Sequence, residues 1–189
     1  MISKVTKGLK ERVIQGDIFK NVEMIEYAQE LEGFIEISKI VFPLAVVLTQ
    51  DCDLEGNFRD RFCRNASEKS IHDKWLISVL MAPLYNFEHV CSGTHLSELG
   101  ITMQEIKRNK THGHNLMNNQ QPRYHFVKFP DSIPIVDSVV DFKHYFTVNS
   151  RYIQKCRKSN FVCRLKPLYR ENLSQRFSAF LSRIGLPDS

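Results

Sequence analysis

An apolar run of strand length, residues 42–48, constrains the fold of this chain more than any other segment. Its apolar core from Leu44 to Leu48 does not alternate with polar residues, so we expect a strand that is covered on both faces. The run ends abruptly in Thr49-Gln50-Asp51-Cys52-Asp53, which places two carboxylates and a thiol directly after a buried strand. This polar cluster indicates either a binding site or a sharp turn.

Asp51 and Asp53 are candidate catalytic residues. If the strand continues through them, the two carboxylates share one face and Cys52 points to the other. Two close carboxylates can hold a divalent cation, or their repulsion can raise the pKa of one above that of the other, which suits acid–base chemistry. The alternative is a strand end where one carboxylate caps a turn and Cys52 packs as a small apolar group.

Other segments predict a mainly β protein with helices, of the α+β class, folded as one domain over residues 1–189. Strand patterns occur at 16–19, 33–40, 44–48, 75–81, 123–129, 133–137, 139–142 and 161–165. Residues 85–121 read as a helical and loop insertion, in which His112-Gly113-His114 is loop. We also expect an amphipathic helix over 170–185, with Leu173, Phe177, Phe180, Leu181 and Ile184 on its apolar face and Gly185 at its end. We expect one strongly curved sheet or a small barrel.

Charge is distributed unevenly along the chain. Residues 1–100 hold 11 Lys/Arg and 15 Asp/Glu, a balance of −4, whereas residues 101–189 hold 15 and 6, a balance of +9. A basic half can attract phosphates. The alternative is that folding mixes both halves over one surface.

Five widely spaced cysteines and the lack of a signal-like or membrane-spanning apolar run lead us to expect a cytoplasmic protein without membrane contact. A zinc site among Cys52, Cys63, His72, His89, Cys91 and His95 is disfavoured by their spacing. No nucleotide-binding, esterase or metalloprotease motif is present, and we expect no metal or cofactor.

Arg123-Tyr124-His125 is a second candidate site. On a strand, Arg123 and His125 share a face, where a guanidinium beside an imidazole can hold a phosphate and move a proton. An edge strand with an exposed polar face is the alternative.

The order of elements resembles the MazF/PemK toxin family. Gly16-Asp17-Ile18, the strand from Pro43 to Thr49 and the segment 77–84 are similar to that family's opening motif and first two strands. The resemblance implies an SH3-like barrel with a C-terminal helix and metal-independent cleavage of single-stranded RNA. The chain departs from the family at the catalytic positions, where Phe42 replaces an arginine and Tyr85-Asn86 replace a threonine or serine.

Residues 49–54, 170–177 and 185–187 also resemble an uncharacterised bacterial family, which implies a bacterial source. A role in a toxin or antiviral defence system follows from the MazF/PemK resemblance alone.

The leading hypothesis is a nucleic-acid-binding barrel, with single-stranded RNA as the expected ligand and endoribonuclease activity as its extension. Catalysis is assigned to Arg123, His125, Asp51 and Asp53, and RNA binding to Tyr124, Lys128, Arg176 and Arg183. Arginines such as Arg176 and Arg183 often only line the core edge instead. The rivals are an adaptor that binds a protein partner or antitoxin-like regulator, and a metal-dependent enzyme centred on residues 51–53.

Overall fold

Antiparallel strands and helices alternate along the chain, and the computed structural model describes residues 3–63 and 72–183. The expected α+β class is confirmed. The strands are β1 (Val5–Thr6), β2 (Asp17–Leu31), β3 (Phe34–Val47), β4 (Ser78–Asn86), β5 (Tyr124–Val127), β6 (Ser138–Asp141), β7 (Phe146–Asn149) and β8 (Phe161–Leu165). The α-helices are α1 (Asp51–Phe62), α2 (Phe87–Ser92), α3 (Thr111–Met117), α4 (Ser150–Asn160) and α5 (Pro167–Leu181), and short 3-10 turns lie at Ser97–Leu99 and Phe142–His144.

The chain divides into two compact units. We name them the ribbon unit, described over residues 6–63, 72–83 and 145–164, and the cavity unit, described over 3–5, 84–144 and 165–183. Strand β4 belongs to both, with its first six residues in the ribbon unit and its last three in the cavity unit. The expectation of one domain stays a prediction.

The ribbon unit is built on an antiparallel sheet in the order β8-β2-β3-β4, with β7 also paired to β4. Its core packs one sheet face against α1 and α4, through Leu54 and Ile153. Phe19, Ala45, Val47 and other apolar strand residues complete that core. The apolar run 44–48 is buried as expected, apart from half-buried Leu44, and its residues Ala45 and Val47 belong to this core.

Strands β2 and β3 continue beyond this sheet as a two-stranded ribbon. Leu31 pairs with Phe34, and the two residues between them, Glu32 and Gly33, have φ angles of 50° and 82°. Positive φ at both central residues is the geometry of the tight hairpin turn whose twist matches the strands. The ribbon over residues 20–31 and 34–44 is called the β2–β3 ribbon below.

The cavity unit contains a smaller sheet. The last residues of β4 pair with β6, and β6 pairs with β5. Helices α2 and α3 cover this sheet through a core that includes Phe87, Val90, Leu116 and Val139. Helix α5 contributes Phe177 and Phe180, whose rings lie 5.4 and 6.0 Å from the ring of Phe142.

Several predicted boundaries are wrong for local reasons. The predicted strands 33–40 and 44–48 are one strand, β3. Strand β4 starts at Ser78 and runs through Pro83, which the strand tolerates because Pro83 occupies the last pair of the β3–β4 ladder. Residues 133–137 form no strand.

One segment predicted as loop is helical, since helix α3 contains His112-Gly113-His114. The C-terminal helix is confirmed in type, but it begins at Pro167 and its described part ends at Leu181. The predicted cap at Gly185 lies outside the described residues.

Candidate functional site

A cavity of about 530 Å³ lies in the cavity unit. This volume is within the range of small-ligand sites, which is roughly 300–1,000 Å³. Its apolar lining comes from Val90, Met103, Ile106 and Tyr124. Its polar lining is mostly basic, with Lys107, Lys110, Arg123, His95 and His112, joined by Gln104, Gln121 and one acid, Glu105.

One wall of the cavity is the segment 103–107, which is fastened to the end of α2. The Met103 amide donates to the Gly93 carbonyl at 2.9 Å, and the Ile106 amide donates to the Cys91 carbonyl at 2.8 Å. Gly93 ends α2 with φ 76°, and a Cβ there would lie 2.2 Å from the Met103 carbonyl oxygen. Glycine is therefore required at 93 for this wall to approach the helix.

Gly113 in α3 allows a second close approach, next to Lys107 and Lys110. A Cβ at Gly113 would lie 2.6 Å from the Lys107 carbonyl oxygen and 2.5 Å from the Arg108 Cα. The sequence pattern His-Gly-His therefore reflects packing of the basic segment on a helix rather than a turn. The side chains of Lys107, Lys110 and His112 remain exposed.

The opposite wall, residues 121–124, is held by Arg176 of α5. Its guanidinium donates to the backbone carbonyls of Asn119, Gln121 and Tyr124, the last two at 2.9 and 2.8 Å. Arg176 was predicted to bind nucleic acid, but the structure uses its donors to fix the chain that enters β5. It does not line the cavity.

Arg123 is oriented by a buried carboxylate. Its Nε and Nη2 atoms lie 2.9 and 2.6 Å from the two oxygens of Asp141, whose side chain is fully buried. The His144 Nδ1 atom lies 3.0 Å from the same carboxylate. Burial alone would raise the pKa of Asp141, but the hydrogen bonds from His144 and Arg123 outweigh it and lower that pKa to about 2. Asp141 is therefore ionised at neutral pH and holds the guanidinium in place.

Tyr124 supports Arg123 from the other side. The guanidinium carbon lies 4.8 Å from the centre of the Tyr124 ring, which is a cation–π contact. Tyr124 was predicted to stack on bases, but Arg123 occupies its face. The flat guanidinium of Arg123 is thus the surface that is left for stacking.

His125 does not join Arg123 in the cavity. Its side chain is only 7% exposed, and its ring centre lies 6.3 Å from that of Phe142. Burial, with a smaller effect of the Arg176 charge, lowers the pKa of His125 to about 3. The predicted alternation fails because Arg123 precedes β5, so Arg123 and the next residue, Tyr124, both reach the cavity.

Asp51 and Asp53 lie in the ribbon unit, in the first turn of α1. The expectation that Asp51 and Asp53 share one face is wrong, because residues i and i+2 of a helix point about 200° apart around its axis. Asp51 receives two hydrogen bonds from the Arg12 guanidinium, at 2.9 and 3.2 Å, while Asp53 is exposed. Acids in a first turn interact favourably with the helix dipole.

The other predicted binding residues are dispersed. Lys128 is exposed just after β5. Arg183 packs on the ring of Phe180, at 4.1 Å from its centre, and donates to the Phe180 carbonyl. Within residues 3–63 and 72–183, no group of three or more His, Cys, Asp or Glu side chains is arranged to hold a metal ion.

Sequence reasoning missed Lys107, Lys110, Gln121 and the placement of His95 and His112. The cluster Lys107-Arg108-x-Lys110-x-His112 was the available signal, since four basic or imidazole side chains fall within six residues. Arg108 differs from its neighbours, because it forms an ion pair with Glu88 and lies over the Phe87 ring.

The chain was compared with models of protein families and with curated proteins, and neither comparison found a match. No helix in the described part of the chain combines the length and apolar character needed to cross a membrane.

Proposed function

We propose that this chain binds single-stranded RNA, with one nucleotide in the cavity and its phosphates at Lys107 and Lys110. The observation that carries this proposal is a nucleotide-sized cavity with an exposed basic rim and an arginine plane fixed by Asp141 and Tyr124. Bases of single-stranded RNA stack on arginine planes as well as on aromatic rings.

Charge within the cavity supports an anionic ligand. The positive charge of Arg123 is balanced by Asp141. The remaining charged residues of the lining are Lys107, Lys110 and Glu105, and the two lysines leave an excess of positive charge. These two lysines are exposed, and exposed cations next to an apolar cavity can meet a phosphate while the base enters the cavity. We also propose that the fold is an SH3-like barrel of the MazF/PemK kind. This part of the proposal rests on the order of the elements along the chain.

The binding test compares the wild type with the double variant Lys107→Gln/Lys110→Gln by fluorescence anisotropy, using a labelled single-stranded RNA. We expect the double variant to bind at least about tenfold more weakly, and the slope of log affinity against log salt to fall by about 1.4, since each lost phosphate contact on a single strand contributes roughly 0.7. Lys143→Gln/Lys166→Gln is the matched control, because both lysines are exposed in the same unit and neither lines the cavity.

Equal losses in the two double variants would mean that general positive charge, and not the cavity, holds the RNA. No RNA binding by the wild type at low salt would refute the proposal and favour the adaptor hypothesis. DNA of the same sequence tests whether the ligand is RNA.

Cleavage of the bound RNA is the second candidate function. Exposed His112 favours it, because an imidazole beside Lys107, Lys110 and Arg123 combines a proton-transfer group with cations that stabilise a charged phosphate. Gel analysis of the RNA after incubation, with and without EDTA, separates cleavage from binding. RNA that stays intact in both samples would leave the protein as a binding module.

A further inference from the structure

The β2–β3 ribbon has little support of its own. The exposed fractions of Ile25, Ile35, Ile37 and Val41 are 65%, 74%, 56% and 44%. The pairing register places these four residues on one face, opposite to the face on which Val22 and Phe42 enter the core. A two-stranded ribbon is marginally stable in water unless a face or an edge is covered.

The two edges of this ribbon differ. Strand β2 carries Glu23, Glu26 and Glu30 against one base, Lys20, over residues 20–31. It also has a register shift between Ile25 and Tyr27 and a positive φ of 51° at Asn21. Charge and irregular backbone are the features with which proteins prevent pairing at a sheet edge.

The β3 edge lacks these features. Residues 34–40 are Phe-Ile-Glu-Ile-Ser-Lys-Ile, with one acid, one base and four large apolar residues. Residues 34–40 each have a partner on β2; the register shift falls opposite Ser38 and Lys39, but the extra residue, Glu26, belongs to β2 and not to β3. Among the described residues β3 meets β4 only at Ala45–Val47. The backbone groups on the outer side of residues 34–40 are thus available to another strand.

We infer that residues 34–40 of β3 pair antiparallel with the same residues of a second copy of this chain, about a two-fold axis at Ile37. Both edges of the contact are then neutral, and no like charges face each other, since Ile35 meets Lys39 and Glu36 meets Ser38. A β2 edge in the same role would bring several glutamates together. The pairing joins the two ribbons into one four-stranded sheet, with their apolar stripes adjacent.

The test is the mass of the protein in solution, measured by light scattering at concentrations from on the order of 1 to 100 μM. The wild type is expected at twice the chain mass of 22.1 kDa. Ile37→Lys is expected to be a monomer at the same concentrations, because two lysines meet across the axis. Ile37 is exposed, so this change leaves the core intact.

Ala28→Lys is the matched control, because Ala28 is exposed and lies directly opposite Ile37 on the same face, but on β2. It is expected to remain a dimer. Amide hydrogen exchange adds a second measurement: amides within 34–40 are expected to exchange more slowly in the wild type than in Ile37→Lys, and amides of 22–30 to differ much less.

A monomeric wild type over the whole concentration range would overturn the inference. Loss of the dimer in both variants would also overturn it, because the two copies would then contact each other through the face that Ala28 and Ile37 share and not through the edge of β3. A mass above that of a dimer would indicate open, head-to-tail association and would exclude two-fold pairing.

Discussion

Asp141 is the residue on which the candidate site most depends. Its carboxylate meets the Arg123 guanidinium and the His144 ring, and it accepts the Lys143 backbone amide at 3.0 Å. Truncating one partner of a buried charge pair leaves the other charge uncompensated, which is costly. Arg123 therefore keeps its position over Tyr124 only while Asp141 is ionised.

The pH dependence of stability should report this carboxylate. Because the pKa of Asp141 falls to about 2 in the folded protein, ionised Asp141 stabilises the fold at pH values above its unfolded pKa near 3.8. That stabilisation is lost as the pH falls from about 4 to about 2. Urea unfolding should show the advantage of the wild type over Asp141→Asn shrinking by about 2 kcal/mol across this range.

The comparison with Asp141→Asn removes the effect of Asp17, which has the opposite sign. Burial, opposed in part by the Arg164 hydrogen bond, raises the pKa of Asp17 to about 6, so its ionisation lowers stability as pH rises from about 4 to 6. Asp17 is present in both proteins and cancels in the difference. A difference between the two proteins that is constant with pH would contradict the role given to Asp141.

Residue types in the sequence predicted part of the site, but which of those residues line the cavity depends on burial in the folded protein. Arg123 was recognisable as a phosphate-binding candidate and does line the cavity. Its partner His125 was not distinguishable from an exposed histidine in the sequence, because its burial comes from tertiary packing, which brings it near Phe142. Asp141 gave no signal of its own, since its importance comes from the Arg123 and His144 side chains that folding brings to it.

At the scale of elements, α5 connects the C-terminal part of the chain to the cavity wall. Its apolar face packs on Phe142, and Arg176 reaches from it to three carbonyl groups of residues 119–124. The position of the wall that carries Gln121, Arg123 and Tyr124 therefore depends on the packing of α5 against the sheet.

Arg176→Lys tests this connection and keeps the positive charge. A lysine cannot reproduce the planar fork that meets three carbonyls, so we expect a loss of about 2 kcal/mol in the free energy of unfolding and weaker RNA binding. Arg183→Lys is the control, because Arg183 lies exposed on the Phe180 ring and should change stability by less than about 0.5 kcal/mol. Equal effects of the two changes would argue against the proposed role of Arg176.

Periodicity predicted β3, β4, β5, β6, β8 and α5, but it did not predict β7, α1, α3 or α4. The apolar run that ends in Asp51-Cys52-Asp53 looked like a strand continued into a polar cluster, and the structure turns into a helix there. Arg12, which fixes Asp51, lies 39 residues earlier, so no local pattern could reveal the pair. Long-range contacts of this kind are what a single sequence does not show.

At the scale of the whole molecule, the basic excess does not follow the two halves of the sequence. The described residues of the cavity unit hold 11 Lys/Arg and 7 Asp/Glu, a balance of +4, whereas those of the ribbon unit hold 13 and 12, a balance of +1. The net positive charge thus lies mainly in the unit that contains the cavity, and the acidic residues of the ribbon lie in the other. This distribution places the charge that the proposed RNA binding needs in the cavity unit.

Photochemical cross-linking with a 4-thiouridine-labelled single-stranded RNA shows where RNA binds, since mass spectrometry of the products locates the RNA on the chain. We expect the cross-linked peptides to contain residues 103–112 or 121–124, and the yield to fall strongly in Lys107→Gln/Lys110→Gln. Cross-links confined to the basic helix α4 or to the β2–β3 ribbon, with none at the cavity, would contradict the account.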